Sequence, residues 1–307
     1  MTVDGPRLLH EAHEAHDPHG PQVPPEPLAP FRALMAQDDT RIELARACLM
    51  IARDAYPALD VAHYVGEIER LGLRLRARLS QHGRAEEKVI ALNEFIFGEL
   101  GFEGNVDAYY DPRNSYLNEV IDRRTGIPIS LSILYVELGR RIGLPLEGVS
   151  FPGHFLVRLR LRGGMLVLDP FAGGAPQSED DLRERLTRVV PQAATGGIPV
   201  DELPVEQFLA PASHRQILSR VLRNLKAIYR EADEPARLLE VLNRILVVTP
   251  DAHAERRDRG LVYQRLECWQ PALEDLSAYI EREPDATDAA AIRDQLVALR
   301  AQCARMN

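Results

Sequence analysis

The carboxy-terminal third of the chain repeats itself. Thr249-Pro-Asp-Ala252 returns as Glu283-Pro-Asp-Ala286, and Tyr229 returns as Tyr263, both at a spacing of 34 residues. A fixed period of this length marks stacked helical hairpins, in which no unit buries its apolar face alone and each closes against its neighbour. Phased on the prolines, residues 253–286 place Gly260, Tyr263, Ala272, Leu276 and Pro284 at small, aromatic, small, bulky and helix-breaking positions. Residues 219–252 keep Tyr229, Leu242 and Pro250 but lack the small residues. Ala289 to Arg300 has the amphipathic pattern of a closing helix.

These positions resemble the tetratricopeptide repeat, with one regular unit, one degenerate unit and a cap. The alternative is an ordinary pair of helical hairpins. A repeat region over about 211–307 leaves two-thirds of a 307-residue chain for something else, and that length suits one further domain.

The amino terminus is not part of it. Residues 1–30 hold seven of the 22 prolines and four of the nine histidines. Proline at that density sustains neither a helix nor a strand ladder, so a flexible, partly extended tail is expected. His10, His13, His16 and His19 recur at every third residue, a spacing that allows shared metal ligation, although a solvated linker is the simpler expectation. With no long apolar run there is neither a signal-peptide core nor a membrane span, and a cytoplasmic protein is expected.

From Phe31 the pattern turns helical. Leu44, Cys48 and Ile51 share one stripe. Asp60 is positioned to cap a second helix with Tyr64, Ile68, Leu71 and Leu75 inward. Ala85 to Leu100 predicts a third, with Ile90, Leu92, Phe95 and Ile96 inward and Gly101 as its stop. Turn-forming, aromatic-rich loops follow. Gly126-Ile-Pro128 then opens a strongly apolar helix from Ile129 to Ile142, closed by Gly143. Three β-type runs, Leu146–Phe151, Phe155–Leu161 and Met165–Leu168, come next, with Arg162-Gly-Gly164 as a hairpin turn. The pattern is that of an α+β domain, a helix packed on a short antiparallel sheet.

The motifs Gly104-Asn105, Asn114-Ser115-Tyr116-Leu117, Gly126-Ile-Pro-Ile-Ser130 and Pro152-Gly-His-Phe155 are distinctive in combination. Together with the repeats they resemble the bacterial SirB family over about residues 31–285. The resemblance implies a transglutaminase-like (papain-like superfamily) helical and antiparallel-sheet domain over 31–210. An all-α tetratricopeptide-type domain over 211–307 follows it. No reaction is assigned to that family.

The wider superfamily supplies a chemical template. A cysteine at the start of a buried helix attacks an acyl group, a histidine on the next strand takes the proton, and an aspartate after the following strand orients the imidazole. The resemblance puts His154 and Asp169 in the last two roles. Counting back from Gly143, the cysteine position falls on or next to Pro128, and Pro128, Ile129 and Ser130 offer no thiol. The three cysteines, Cys48, Cys268 and Cys303, lie elsewhere, and their odd number and wide separation exclude a disulfide framework. Ser130 or Ser132 offers a hydroxyl, but a hydroxyl gains far less than a thiol from a helix N-terminus and needs a closely aligned base.

Two outcomes stand at this point. One is a non-catalytic protein-interaction or regulatory adaptor, in which His154 and Asp169 form a structural pair and the repeats bind a protein or peptide partner. The other is a Ser-His-Asp hydrolase or acyl transferase using Ser130, His154 and Asp169. Neither needs a cofactor or a metal. The loop tyrosines Tyr109, Tyr110 and Tyr116 either line a pocket or cover the sheet edge. Asn105, Asn114 and Asn118 are expected to hold loop backbone. Asp111 is placed to pair with Arg113, and Arg123-Arg124 and Arg140-Arg141 are expected on solvated faces. A formal charge of −9, from 37 Lys and Arg against 46 Asp and Glu, argues against a nucleic-acid-binding body.

Overall fold

The computed structural model describes residues 28–80, 83–191, 199 and 203–306. The Pro/His-rich segment, with its four regularly spaced histidines, lies outside the described residues.

Helices α1 (Ala29–Met35), α2 (Leu44–Ala52) and α3 (Val61–Arg76) open the structure. Asp60 caps α3 by accepting from the His63 N–H at 3.0 Å. Helix α4 (Ala85–Asn93) runs into π-type turns over Glu94–Glu99. The chain then turns at Gly101, whose φ of +69° favours glycine. Leu92, Phe95 and Ile96 are buried as their spacing predicts. Ile90, expected inward, is 57% exposed, and Val89 takes the inward place instead. Residues 89, 92 and 96 share one helical face, whereas position 90 is rotated about 100° from it.

Strands β1 (Glu103–Gly104) and β2 (Thr125–Gly126) pair in parallel on either side of α5 (Leu117–Arg123). Helix α6 (Pro128–Arg141) follows at once and is buried along most of its length. It packs on an antiparallel sheet of order β3–β4–β5–β6, formed by Leu146–Val149, Leu156–Leu161, Gly164–Asp169 and Ala175–Pro176. Contact between helix and sheet is close. A Cβ on Gly139 would sit 2.2 Å from Leu146 Cδ1, so only glycine fits there. The β4–β5 hairpin pairs Leu161 with Gly164, as the Arg-Gly-Gly turn predicts. Strands β3 and β4 are shorter than their apolar runs, because Pro152 has no N–H to donate and Gly153 turns the chain at φ +67°. Alternation then splits the sheet: Val157, Leu159 and Leu168 join the main core, while Leu156 and Val167 face Leu182 and Leu186 of α7 (Glu179–Val189).

The repeat region consists of α8 (His214–Glu231), α9 (Pro235–Val248), α10 (His253–Arg265), α11 (Trp269–Arg282) and α12 (Ala289–Met306). Gly260 does what its small-residue position requires, since a Cβ there would lie 2.8 Å from the Leu276 side chain and hold α10 and α11 apart. Helices α11 and α12 bury a separate cluster that includes Leu276, Tyr279 and Leu296.

The first repeat pair has a different neighbour. Leu218, Leu222 and Leu225 of α8 and Leu242 and Ile245 of α9 belong to the same core as Phe31, Leu49, Tyr116 and Leu134. The Tyr116 and Tyr229 hydroxyls meet at 2.6 Å across this seam, and the burial of Tyr116 pushes its phenol pKa far up. Arg244 of α9, 4% exposed, forms an ion pair with Asp54 and stacks 4.7 Å over Phe31. The Ala212 N–H donates to the Gly148 carbonyl at 2.8 Å, continuing past the edge of β3. Arg141, expected on a solvated face, is instead packed on Gly72 of α3 and paired with both Glu137 and Glu69, because α3 lies directly over that turn of α6.

Asp54→Ala strands a buried guanidinium and is expected to lower unfolding stability by about 3 kcal/mol. Urea denaturation followed by circular dichroism measures it, and a loss under about 1 kcal/mol contradicts the structural weight given to this ion pair.

Candidate functional site

The site expected from the sequence is spread over the start of α6, the turn before β4 and the end of β5. Pro128 occupies the first turn of α6 and Ser130 follows within it, 1% exposed. The Ser130 hydroxyl is engaged by backbone on both sides. It accepts from the Ile127 N–H at 3.0 Å and lies 2.6 Å from the Asn114 carbonyl, to which it donates. The hydroxyl thus satisfies one of the donors that a helix N-terminus leaves open. Gly126 makes room for it, since a Cβ there would lie 2.8 Å from Ser130 Oγ. Ser132, two residues on, is fully buried, and its hydroxyl has no hydrogen-bond partner among the described residues.

His154 sits in the turn between β3 and β4, two residues before β4 begins. Its Nε2 lies 3.0 Å from Oδ1 of Asp169, the last residue of β5. This contact leaves Nδ1 as the ring nitrogen away from the carboxylate. Strands β4 and β5 are hydrogen-bonded neighbours, which is why residues 15 apart in sequence meet. Asp169 is 1% exposed and both of its carboxylate oxygens have partners. Oδ1 also accepts from the Phe171 N–H at 3.0 Å, and Oδ2 accepts from Arg185 Nη2 at 2.7 Å. Among the described residues, no hydrogen bond joins Ser130 to His154.

Arg185 is the residue that sequence reasoning missed. It belongs to α7, where it falls among Glu179, Asp180, Asp181 and Glu184 in a helix that reads as an ordinary charged surface. Its only signal in the sequence is the step of four residues from Asp181 to Arg185, which suggests a pair within the helix and not the reach to Asp169. The guanidinium changes the chemistry. A carboxylate stabilises an imidazolium because its own charge is otherwise uncompensated. With Arg185 2.7 Å from Asp169, much of that charge is already neutralised.

The loop residues divide. Asn105 and Asn114 hold backbone as expected: Asn105 Oδ1 accepts from the Ala108 N–H at 2.9 Å, and Asn114 Nδ2 donates to the Ala108 carbonyl at 2.7 Å. The Asn118 carboxamide oxygen is buried without a partner among the described residues. Asp111 and Arg113 form the expected pair at 2.7 Å, and that arginine holds the carboxyl below its usual range. Of the tyrosines, Tyr116 is buried in the seam, Tyr110 is 77% exposed, and Tyr109 packs edge-on against Phe171. Phe171 in turn meets the His154 ring edge-on at 6.0 Å. Arg124 is exposed, as expected of a solvated face, and also donates to the Leu100 carbonyl at 2.7 Å.

None of the thiols is near this site's helix start. Cys48 is enclosed in α2, and burial, reinforced by Glu137, pushes its thiol far up. Among the described residues no group of three or more His, Cys, Asp and Glu side chains is placed to hold a metal ion, and no helix is long and apolar enough to cross a membrane.

Helix α6 on an antiparallel sheet, with a His–Asp pair where β4 and β5 meet, joined to stacked helical hairpins, defines a transglutaminase-like domain followed by tetratricopeptide repeats. Comparison with family models agrees: a transglutaminase-like superfamily model matches residues 62–223, and a tetratricopeptide repeat model matches 225–297. A UPF0162 protein of Xylella fastidiosa is 43% identical over 266 residues, covering 87% of this chain and 93% of its own length. The UPF0162 protein YchA of Escherichia coli is 31% identical, covering 81% and 88%. Protein SirB1 of Salmonella typhimurium is 31% identical, covering 75% and 82%. The chain belongs to this UPF0162/SirB family.

Two measurements check the site geometry. Ser130→Ala removes the acceptor for the N-cap Ile127 N–H and the donor to the Asn114 carbonyl, and is expected to cost about 1–2 kcal/mol by thermal unfolding. In native protein at pH 8, iodoacetamide is expected to modify exposed Cys268 and to spare Cys48, whose raised pKa keeps it a neutral thiol; peptide mass mapping reads the difference.

Proposed function

We propose that this protein is a non-catalytic, transglutaminase-like interaction protein, an adaptor or regulator. In it the domain over 31–210 serves as a scaffold and the repeats over 211–307 present the surface that takes a protein or peptide partner. The observation that carries this reading is the start of α6. Where the superfamily template needs an activated thiol, the chain has Pro128, Ile129 and a Ser130 hydroxyl already donating to the Asn114 carbonyl. The Arg185 pairing of Asp169 supports it further, because the carboxylate is shared between the imidazole and a guanidinium that ties it to α7. His154 and Asp169 act in this reading as a structural tie between β4, β5 and α7.

Tetratricopeptide repeats generally mediate protein–protein contacts, and here a small cleft of about 220 Å³ lies between α8, α9 and α10. Leu238, Leu242 and Leu261 line it together with Lys226 and Arg230. Half of the first repeat pair is occupied by the seam, so a partner has the opposite face of α8 and the later helices to use.

The second reading, a hydrolase or acyl transferase using Ser130, His154 and Asp169, draws on the 3.0 Å His154–Asp169 contact and on the Nδ1 it leaves away from the carboxylate. Assays of ester and amide hydrolysis and of amine incorporation, run on the purified full chain and on His154→Ala, separate the two. The proposal expects no turnover above buffer in either protein. Turnover by the parent chain that His154→Ala abolishes overturns it. Asp169→Ala is expected to cost about 3 kcal/mol in stability, since it strands both His154 and Arg185.

A further inference from the structure

A second cleft, lined by neither His154 nor Asp169, lies where the chain passes from the first domain into α8. Its volume is about 510 Å³, inside the range of roughly 300–1,000 Å³ typical of small-molecule sites. One wall is Ser150, Pro152 and Phe208; the other is a single face of α8 carrying Arg215, Ser219, Arg220 and Arg223. The steps of four from 215 to 219 to 223 put three of these in one row. Every charged residue that lines the cleft is an arginine, in a chain whose net charge is −9.

These arginines are not neutralised by one another's surroundings. Arg215 donates to the backbone carbonyls of Met35 and Gln37, at 2.6 and 3.0 Å, so its guanidinium is held in place while keeping its full charge. Arg223 has only a loose carboxylate neighbour, Glu255 at 3.7 Å, and is 56% exposed. Arg220 has no carboxylate within ion-pair distance among the described residues. Its guanidinium lies close enough to the Tyr109 phenol to oppose the rise in that group's pKa caused by burial. Ser219, 4% exposed, carries a hydroxyl with no hydrogen-bond partner among the described residues. A buried hydroxyl left unpaired in the row between two guanidinium groups is a polar group missing its partner. The helix terminus itself is not the site, because Asp39 already accepts from the His214 and Arg215 N–H groups, both at 2.9 Å.

We infer that this cleft binds the phosphate group of a small molecule, held by Arg220 and Arg223 with the Ser219 hydroxyl beneath. Guanidinium forks match both carboxylate and phosphate oxygens. Two forks and a hydroxyl exceed what the two oxygens of a carboxylate can accept in one plane and suit the three terminal oxygens of a phosphate. The Phe208 and Pro152 wall offers apolar surface for the body of a phosphate ester.

Isothermal titration of the full chain with inorganic phosphate, phenyl phosphate and acetate, at constant ionic strength, tests this. Saturable binding of a phosphate compound is expected, weakened about tenfold or more by Arg220→Gln and by Arg223→Gln, with acetate much weaker. The unfolding temperature of the unliganded variants, measured alongside, shows that the fold is kept. Tighter binding of phenyl phosphate than of inorganic phosphate supports an ester as the ligand; equal binding supports free phosphate. The inference is overturned if neither compound saturates by about 20 mM, if Arg220→Gln binds like the parent, or if acetate binds as well as phosphate.

Discussion

The hydrogen bond from Ser130 to the Asn114 carbonyl is the point from which much of the structure is organised. It closes the N-terminus of α6 and at the same time fixes the loop that crosses it. Asn114, held there, takes the backbone of Ala108 and Tyr109 and the side chain of Asn105. Two residues further on, Tyr116 leaves the loop and reaches Tyr229 of the first repeat helix. The Ser130 hydroxyl, two residues past Pro128, therefore holds this loop against α6. A hydroxyl has one proton to donate, and the Asn114 carbonyl lies 2.6 Å from this one.

The seam that begins at Tyr116 has a consequence for the repeats. Solenoid units normally rest only on their neighbours. Here α8 and α9 rest on the first domain, through a continuous apolar core and the buried pairing of Arg244 with Asp54. Further along the repeats, α11 and α12 close a separate core. Tyr229 meets Tyr116 at this seam, whereas Lys226, at the position that Gly260 takes in the second unit, pairs with Glu255 and Asp258 of α10. The arginine-lined cleft arises at the same junction, where α8 turns one face towards the sheet's edge.

The sequence made the helices, the hairpin turn at Arg162-Gly-Gly164 and the repeat phase legible, because each depends on local spacing or on one residue's backbone preference. It also made the His154–Asp169 pair legible, since the two flank a β-hairpin that has to bring them together. What it concealed was tertiary. Ile90 and Val89 are equally apolar, and only packing decides which one turns inward. Arg141 and Arg185 look like surface charges until α3 and the end of β5 are placed beside them. Nothing in the local pattern around Ser130 shows its partner; Asn114, whose carbonyl it meets, lies 16 residues away.

The state of the Ser130 hydroxyl is the most direct point of test. Incubating the full chain with a fluorophosphonate, which forms a covalent adduct with activated serines, and measuring the intact mass reads it in one step. An unchanged mass is predicted, with Ser130 held as a helix cap. A stoichiometric adduct that maps to Ser130 or Ser132 and is lost in His154→Ala would contradict it, and would make this chain an enzyme.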